Sequence, residues 1–294
     1  MDRRSLLLAL ALAPAAARAV RAEGSSAEGL TLTLSAMLSG AAAPLASGLH
    51  WRIYGGEANA DGDFPLVRES PLPQPVMTIP RGEYVVHVAF GLASAAQRVF
   101  LDGDSRNLQL QLKAGGLRIG GALGDKPIEA ARLSIDIYVP ERNNPVAKLV
   151  YSKARAGDVI GVPEGTYHIA STLLQPSGLG KGAPAGAPTN STASGEVKVS
   201  SGKIVDVTLR HRFANATLKL VGAPGAEAVA NTSFTVLTPG GDLIGELIGA
   251  FPSITLAEGD YVAVARHDQK TYQAEFTVKS GQDADVEVLA KGGS

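Results

Sequence analysis

Five histidines are the side chains best suited to bind a metal ion, but their spacing in the sequence does not form a metal-binding motif. They are His50, His87, His168, His211 and His267, and the chain has no cysteine. A protein zinc site takes three or four nitrogen, sulfur or carboxylate ligands, with characteristic short spacings between some of them. No pair of these histidines has such a spacing. The sequence therefore predicts no metal site.

A covalent hydrolase would need a serine or threonine activated by a base that an acid orients. Serine and threonine are abundant, but no Gly-x-Ser-x-Gly elbow or comparable motif accompanies them. We expect no catalytic residue, no cofactor and no enzymatic activity.

Two acidic turns are the remaining candidates for ion binding. Asp61-Gly62-Asp63 and Asp102-Gly103-Asp104 each flank a glycine with two carboxylates, and Asn107 follows the second. Such oxygen ligands suit calcium, although Asp-Gly is also ordinary chemistry for a tight turn. We favour the turn.

The elements that position these residues follow a motif written three times. It reads IPRGEYVVHV from Ile79, VPEGTYHIAS from Val162 and LAEGDYVAVA from Leu256. Each copy keeps a glycine and a tyrosine two places later, as the pairs Gly82/Tyr84, Gly165/Tyr167 and Gly259/Tyr261. The spacings of 83 and 94 residues are the size of one small β-sandwich domain.

A second landmark follows in the same register. Gly103, Gly202 and Gly281 align, and four residues later so do Asn107, Asp206 and Asp285. Apolar and polar residues alternate around the landmarks, as in strands with one buried face. We predict an all-β chain of three tandem immunoglobulin-like or transthyretin-like sandwiches, each with about seven strands and a closing hairpin at the second glycine.

The repeated tyrosines are interpreted as structural. An apolar ring at the edge of a core and a hydroxyl bonded back to nearby backbone form the tyrosine corner of immunoglobulin-like sandwiches. The alternative is a ligand platform. The single tryptophan, Trp51, is expected in the core by strand alternation; if exposed, it would form a sugar-stacking platform with Tyr54.

The predicted divisions are a signal peptide at 1–22 and sandwiches at 28–112, 113–212 and 213–291. Linkers of about four or five residues, 113–116 and 211–215, would join the sandwiches. The stretch 175–194 is rich in Gly, Pro, Ala, Ser and Thr and is predicted to be a mobile loop inserted in the second copy.

The V-x-V/I-Y strand, the P-x-G-x-Y strand and the closing turn resemble bacterial carboxypeptidase regulatory-like and Cna-B-like domains, of the transthyretin-like or prealbumin-like group. The resemblance covers about residues 28–291. It implies a mostly non-catalytic stalk, spacer or adhesive accessory. Some Cna-B-like domains carry a Lys–Asn isopeptide bond, for which Lys219 and Asp285, with Glu246 or Glu258 as the acid, are the nearest parts; Lys219 is expected to face solvent.

The N-terminus has the layout of an export signal. Arg3 and Arg4 precede the short apolar run Leu6–Leu12, and small residues follow up to Ala22. The mature chain would hold 23 basic and 27 acidic residues, which argues against nucleic-acid binding. No later segment is apolar enough to span a membrane. We expect a periplasmic or secreted protein.

The function expected from these observations is a structural or protein-interaction module of the cell envelope. Its partner would be an unknown envelope protein or a glycan. The alternative is a carbohydrate-binding accessory protein.

Overall fold

A computed structural model of the chain describes residues 29–103, 105–141, 144–176 and 184–291. The predicted signal peptide lies outside the described residues, and so does Asp104 of the second acidic turn. Apart from one 3₁₀ turn, η1 (Ala130–Arg132), the described elements are β-strands. No helix among these residues has the length and apolar character that a membrane span requires.

Each repeat contains seven principal strands. Those of repeat 1 are β1 (Leu30–Leu38), β2 (Leu49–Gly55), β3 (Leu66–Ser70), β4 (Val76–Ile79), β5 (Gly82–Phe90), β6 (Ala93–Leu101) and β7 (Arg106–Leu112). Those of repeat 2 are β8 (Ala114–Leu123), β10 (Leu133–Glu141), β11 (Asn144–Ala154), β12 (Val159–Pro163), β13 (Gly165–Leu174), β14 (Pro188–Val199) and β15 (Ile204–His211), with an additional short β9 (Lys126–Pro127). Those of repeat 3 are β16 (Phe213–Val221), β17 (Thr232–Leu237), β18 (Leu243–Gly249), β19 (Ser253–Ala257), β20 (Gly259–His267), β21 (Lys270–Val278) and β22 (Ala284–Leu289).

The three repeats share one topology. Each has a three-stranded sheet, ordered β4-β1-β7, β12-β8-β15 and β19-β16-β22, in which the first and last strands of the repeat are parallel. Each also has a four-stranded antiparallel sheet, ordered β3-β2-β5-β6, β11-β10-β13-β14 and β18-β17-β20-β21. The predicted architecture of three tandem β-sandwiches is therefore confirmed.

Each repeat has its own hydrophobic core, built from the inward faces of its strands. In β1 and β5, buried residues alternate with half-buried ones, as the two-residue period of a strand requires. The three cores run from Leu30 to Ala114, from Leu117 to Phe213 and from Ala214 to Val288. Without disulfides, these cores are the main source of stability.

The predicted closing hairpin is wrong. β6 pairs with β5, whereas the following β7 pairs with β1 in the opposite sheet. The same switch separates β14 from β15 and β21 from β22. The turn at Gly202 or Gly281, which have φ of 78° and 74°, therefore crosses between the sheets. Two strands with alternating apolar and polar residues and a glycine turn between them have the same sequence pattern whether they pair with each other or belong to different sheets.

The predicted loop at 175–194 extends too far toward the C-terminus, and the predicted linkers are too long; residues 177–183 of that loop lie outside the described residues. Residues 188–194 belong to β14 and pair with β13, for example Ala193 with Ser171; as an edge strand, this segment needs few apolar residues. Only Lys113 separates β7 from β8, and only Arg212 separates β15 from β16. The repeats are thus joined by single residues.

Candidate functional site at the joints between repeats

The repeated tyrosine has the same place and the same bond in every repeat. The hydroxyls of Tyr84, Tyr167 and Tyr261 donate to the carbonyl four residues earlier, at 2.9, 2.7 and 2.9 Å. The rings are buried, and this burial raises the pKa of each hydroxyl. The groups therefore remain protonated donors, as a tyrosine corner requires.

Two positions counted from this tyrosine meet at the joints. We call the eighth residue after it the tip position, which holds Leu92, Gln175 and Gln269 in the turn after the tyrosine strand. We call the sixth residue before it the dock position, which holds Thr78, Gly161 and Thr255 in β4, β12 and β19. At each joint, the tip of one repeat contacts the dock of the next.

At the joint of repeats 1 and 2, backbone meets backbone. The Leu92 N–H donates to the Gly161 carbonyl at 2.7 Å. A Cβ on Gly161 would collide with Phe90, so only glycine permits this approach. The contact is also apolar, since Leu92 packs against the core of repeat 2 and Val159 packs against that of repeat 1.

At the joint of repeats 2 and 3, a side chain replaces the backbone contact. Gln175 Nε2 donates to the Thr255 carbonyl at 3.3 Å, and Gln175 Oε1 accepts from the Thr255 N–H at 3.0 Å. Both residues are buried. The amide thus satisfies two main-chain groups on the outer edge of β19.

Further polar contacts reinforce this second joint. Asn190 Oδ1 accepts from the Ala257 N–H at 2.9 Å, and its Nδ2 donates to the Tyr261 hydroxyl at 2.7 Å. Arg212, the single linker residue, binds Glu258 through two nitrogens, each 2.8 Å from a carboxylate oxygen. These bonds link β14 and the linker to the dock strand of repeat 3.

A cavity of about 660 Å³ lies beside the same joint. Residues on both flanks of the repeat 2 insertion line it, including Gln175 and Gly186, together with Phe213. The Arg132 guanidinium lies 5.4 Å from the Phe213 ring centroid and donates to the Leu174 carbonyl. Its burial lowers the pKa of Arg132.

His211 is enclosed between two serines. Its Nδ1 lies 3.2 Å from Ser191 Oγ and its Nε2 lies 3.0 Å from Ser171 Oγ. All three side chains are buried, and burial lowers the pKa of His211. Because both serine hydroxyls are closed to solvent, this contact fits a structural polar network better than a nucleophile and its base.

Trp51 lies in the core as expected, so the stacking platform given as the alternative is not formed. Trp51 is completely buried in the core of repeat 1, and its Nε1 has no partner among the described residues. Tyr54, three residues later on the other face of β2, is half-buried. The two rings therefore do not form one exposed surface.

The first acidic turn is closed by hydrogen bonds within its own loop, and the second contains Asp104, which lies outside the described residues. Asn59 Oδ1 accepts from the N–H groups of Asp61 and Asp63 at 3.0 and 2.9 Å, which is an ordinary Asx turn. No group of three or more His, Cys, Asp or Glu side chains placed for a metal occurs in the described ranges. Among the histidines, His50 and His87 share the outer face of β2 and β5, whereas His211 is buried in repeat 2.

Lys219 faces outward on β16, between the buried Leu218 and Leu220. Its Nζ forms ion pairs with Glu287 Oε1 at 3.2 Å and with Asp285 Oδ2 at 3.6 Å. These pairs raise the pKa of Lys219. The proposed acid Glu258 is instead the partner of Arg212. The structure thus brings Lys219 and Asp285 together on the outer face of the sheet, away from the core.

The residues that form the joints were missed by reasoning from the sequence alone. Leu92, Gly161 and Thr255 carry no chemistry that attracts notice. The available signal was positional, because glutamine recurs eight residues after the tyrosine at Gln175 and Gln269. Threonine likewise recurs six residues before it, at Thr78 and Thr255.

Comparisons with known proteins add one family match. Residues 215–290, which are most of repeat 3, match the Rhizobiales growth-associated tandem repeat domain. No curated protein matches the chain.

Solved structures similar to the chain have low sequence identity to it. The Bacillus anthracis TIE protein is 14% identical, with 91% of this chain covering 51% of that one and a TM-score of 0.25. The Streptococcal ancillary pilin is 13% identical, with coverages of 90% and 100% and a TM-score of 0.29. The minor pilin GBS52 of Streptococcus agalactiae is 15% identical, with coverages of 60% and 95% and a TM-score of 0.32. The chain spans about half the length of the first of these, and at such TM-scores none bears on function.

Proposed function

We propose that the protein is a non-catalytic, exported structural module of the bacterial cell envelope, which holds its two ends at a fixed separation for a partner protein. The units are the sandwiches at 28–112, 113–212 and 213–291. One observation carries the proposal: successive repeats are linked by a single residue, Lys113 or Arg212, and bonded across each joint. A flexible array would need longer polar linkers.

The joints support a spacer because they satisfy buried main-chain groups. If the joint of repeats 2 and 3 opened, Thr255 would lose both partners that Gln175 provides. Leaving buried polar groups unpaired costs about 1–3 kcal/mol each. The carbohydrate-binding alternative loses its platform, since Trp51 is buried.

Distance measurement by electron spin resonance tests the spacer. The chain has no cysteine, so spin labels can be placed uniquely at the exposed Glu57→Cys in repeat 1 and Glu275→Cys in repeat 3. We expect one narrow distance distribution. A broad or multimodal distribution would overturn the rigid spacer. Fractionation of cells producing the full chain tests export, which predicts recovery in the envelope or the medium.

A further inference from the structure

Among the residues that the structure describes, each end of the three-repeat array exposes one half of a joint that has no partner. The tip of repeat 3, Gln269, lies in the exposed turn between β20 and β21. The dock of repeat 1, Thr78, is exposed in β4. At the internal joint of repeats 2 and 3, the equivalent Gln175 and Thr255 are buried against each other.

The unpaired halves have the residue types of that internal joint. Gln269 matches Gln175, and Thr78 matches Thr255. The main chain of the two docks matches too, because Thr78 lies opposite Thr31 as Thr255 lies opposite Asn215.

A neighbouring hydrogen bond is also equivalent in the two repeats: the Leu34 N–H donates to the Pro75 carbonyl in repeat 1, and the Leu218 N–H donates to the Pro252 carbonyl in repeat 3. In antiparallel pairs the direction of the main-chain groups alternates along the strand. The N–H and C=O of Thr78 therefore point away from β1, as those of Thr255 point away from β16 toward Gln175.

An uncovered apolar side chain lies beside the free dock. Val76 is 67% exposed. The residue at its place in repeat 2 is Val159, eight positions before the repeated tyrosine, and it packs against the core of repeat 1. Val76 thus presents the apolar contact that the preceding repeat covers at the joint of repeats 1 and 2.

We propose that copies of this protein associate head to tail, with Gln269 of one copy bonding the main chain of Thr78 in the next and covering Val76. The occupant is a second copy because the docks of repeats 2 and 3 are each occupied by the tip of a preceding repeat, and the exposed tip Gln269 has the residue type of Gln175. The two surfaces are different, so the contact is heterologous and extends into an open chain unless the rotation closes a ring.

Repulsion between two cations opposes this contact, so the strength of the association should depend on salt concentration. At the internal joint, Arg212 pairs with Glu258. Repeat 1 has Arg81 at the place of Glu258, and repeat 3 has Lys291 at the place of Arg212. Two cations would therefore face each other between copies. Salt screens such repulsion, so higher ionic strength should strengthen the association.

Separate copies have no linker between them, so a high protein concentration is needed for this contact to form. A short linker gives an effective concentration on the order of millimolar, so we expect association between copies to be weak and reversible. Sedimentation velocity on the full chain without its signal peptide, from about 10 µM to about 1 mM, should show an average mass that rises with concentration and with salt. Arg81→Glu restores the acid of the internal joints and should lower the required concentration about tenfold.

Two variants in the Arg81→Glu background separate this contact from others. Gln269→Ala removes the tip and Val76→Asp blocks the dock, and each should abolish growth beyond the monomer. Mixed together, they retain one intact tip and one intact dock, so they should form a one-to-one dimer that grows no further. Gln273→Ala, an exposed change away from the tip, is the control and should associate like its parent.

Several results would overturn the proposal. They are a strict monomer for the parent and for Arg81→Glu at all concentrations, association that Gln269→Ala leaves unchanged, or failure of the two variants to complement.

Discussion

Gln175 bonds both main-chain groups of Thr255 across the boundary between repeats 2 and 3, although 80 residues separate them in sequence. A primary amide has one acceptor and two donors, so a single side chain can extend the edge strand β19 as a short piece of backbone would. The joint of repeats 1 and 2 makes the comparable contact with the main chain of Leu92 and Gly161. The same boundary is thus built twice by different chemistry.

Gln175→Ala should loosen the joint of repeats 2 and 3. The change strands a buried N–H and C=O on Thr255, at a cost of about 1–3 kcal/mol for each group. Hydrogen exchange at the Thr255 amide should accelerate, and the distance distribution between labels in repeats 2 and 3 should broaden. Gln269→Ala, at the exposed equivalent position, is the matched control and should leave both measurements unchanged. Equal exchange rates in the two variants would contradict the assigned role.

Gly161→Ala should open the joint of repeats 1 and 2. The added methyl would collide with Phe90, and overpacking of this kind costs about 1–3 kcal/mol. Spin labels at Glu57→Cys and Glu196→Cys should report a broader distance. Gly120→Ala on β8, where a methyl would meet nothing within 4 Å, is the control and should behave as the parent. A narrow, unshifted distance in Gly161→Ala would argue against a glycine requirement at this contact.

Replacing each repeated tyrosine by phenylalanine should give unequal losses of stability. Tyr84→Phe and Tyr167→Phe each lose one bond to a proline carbonyl, worth about 0.5–1.5 kcal/mol. Tyr261→Phe also loses the bond from Asn190, so its loss should be larger and should include weaker coupling between repeats 2 and 3. Urea unfolding measures the difference. Equal losses in all three variants would show that Asn190 adds nothing through Tyr261.

His211 should make the folded protein less stable in mild acid. Burial lowers the pKa of His211 below its unfolded value of about 6.5, so the unfolded chain binds a proton that the folded chain does not. The stability is complete above about pH 6.5 and falls as the pH decreases below that value. Urea midpoints between about pH 5 and pH 8 should fall less steeply with acid in His211→Gln than in the parent.

His87 contributes in the same direction, because burial and the nearby Arg52 and His50 lower its pKa. The informative quantity is therefore the difference between His211→Gln and the parent. His267→Gln, at a half-buried site whose imidazole lies 3.2 Å from the exposed carboxylate of Asp268, is the control. If His211→Gln retained the full acid dependence, the buried imidazole would not be its source.

Much of the fold was predictable because its signals are local. Alternation in segments such as Leu30–Leu34 defines strands with one buried face, and the pairs Gly82/Tyr84, Gly165/Tyr167 and Gly259/Tyr261 define the period. A tyrosine whose hydroxyl bonds four residues back is a short-range feature. The residue types at these positions therefore indicate the strands and the tyrosine corners without knowledge of distant contacts.

Strand pairing was less predictable because a turn does not specify it. The segments around Gly202 alternate as hairpin strands do, but β14 and β15 belong to different sheets. The polar run 188–194 likewise suggested a loop, whereas hydrogen bonding to β13 makes it an edge strand. In both cases the local structure depends on pairing with a strand that is distant in sequence.

By itself, the sequence determined that one sandwich pattern is used three times, because the alternation of apolar and polar residues and the recurring tyrosine are local features of the sequence. Only the tertiary structure decided how the copies meet. The partners Leu92 and Gly161, or Gln175 and Thr255, are far apart along the chain, and two of these four contribute only main-chain groups that any residue possesses. Their pairing depends on how the folded repeats bring the tip of one against the edge strand of the next.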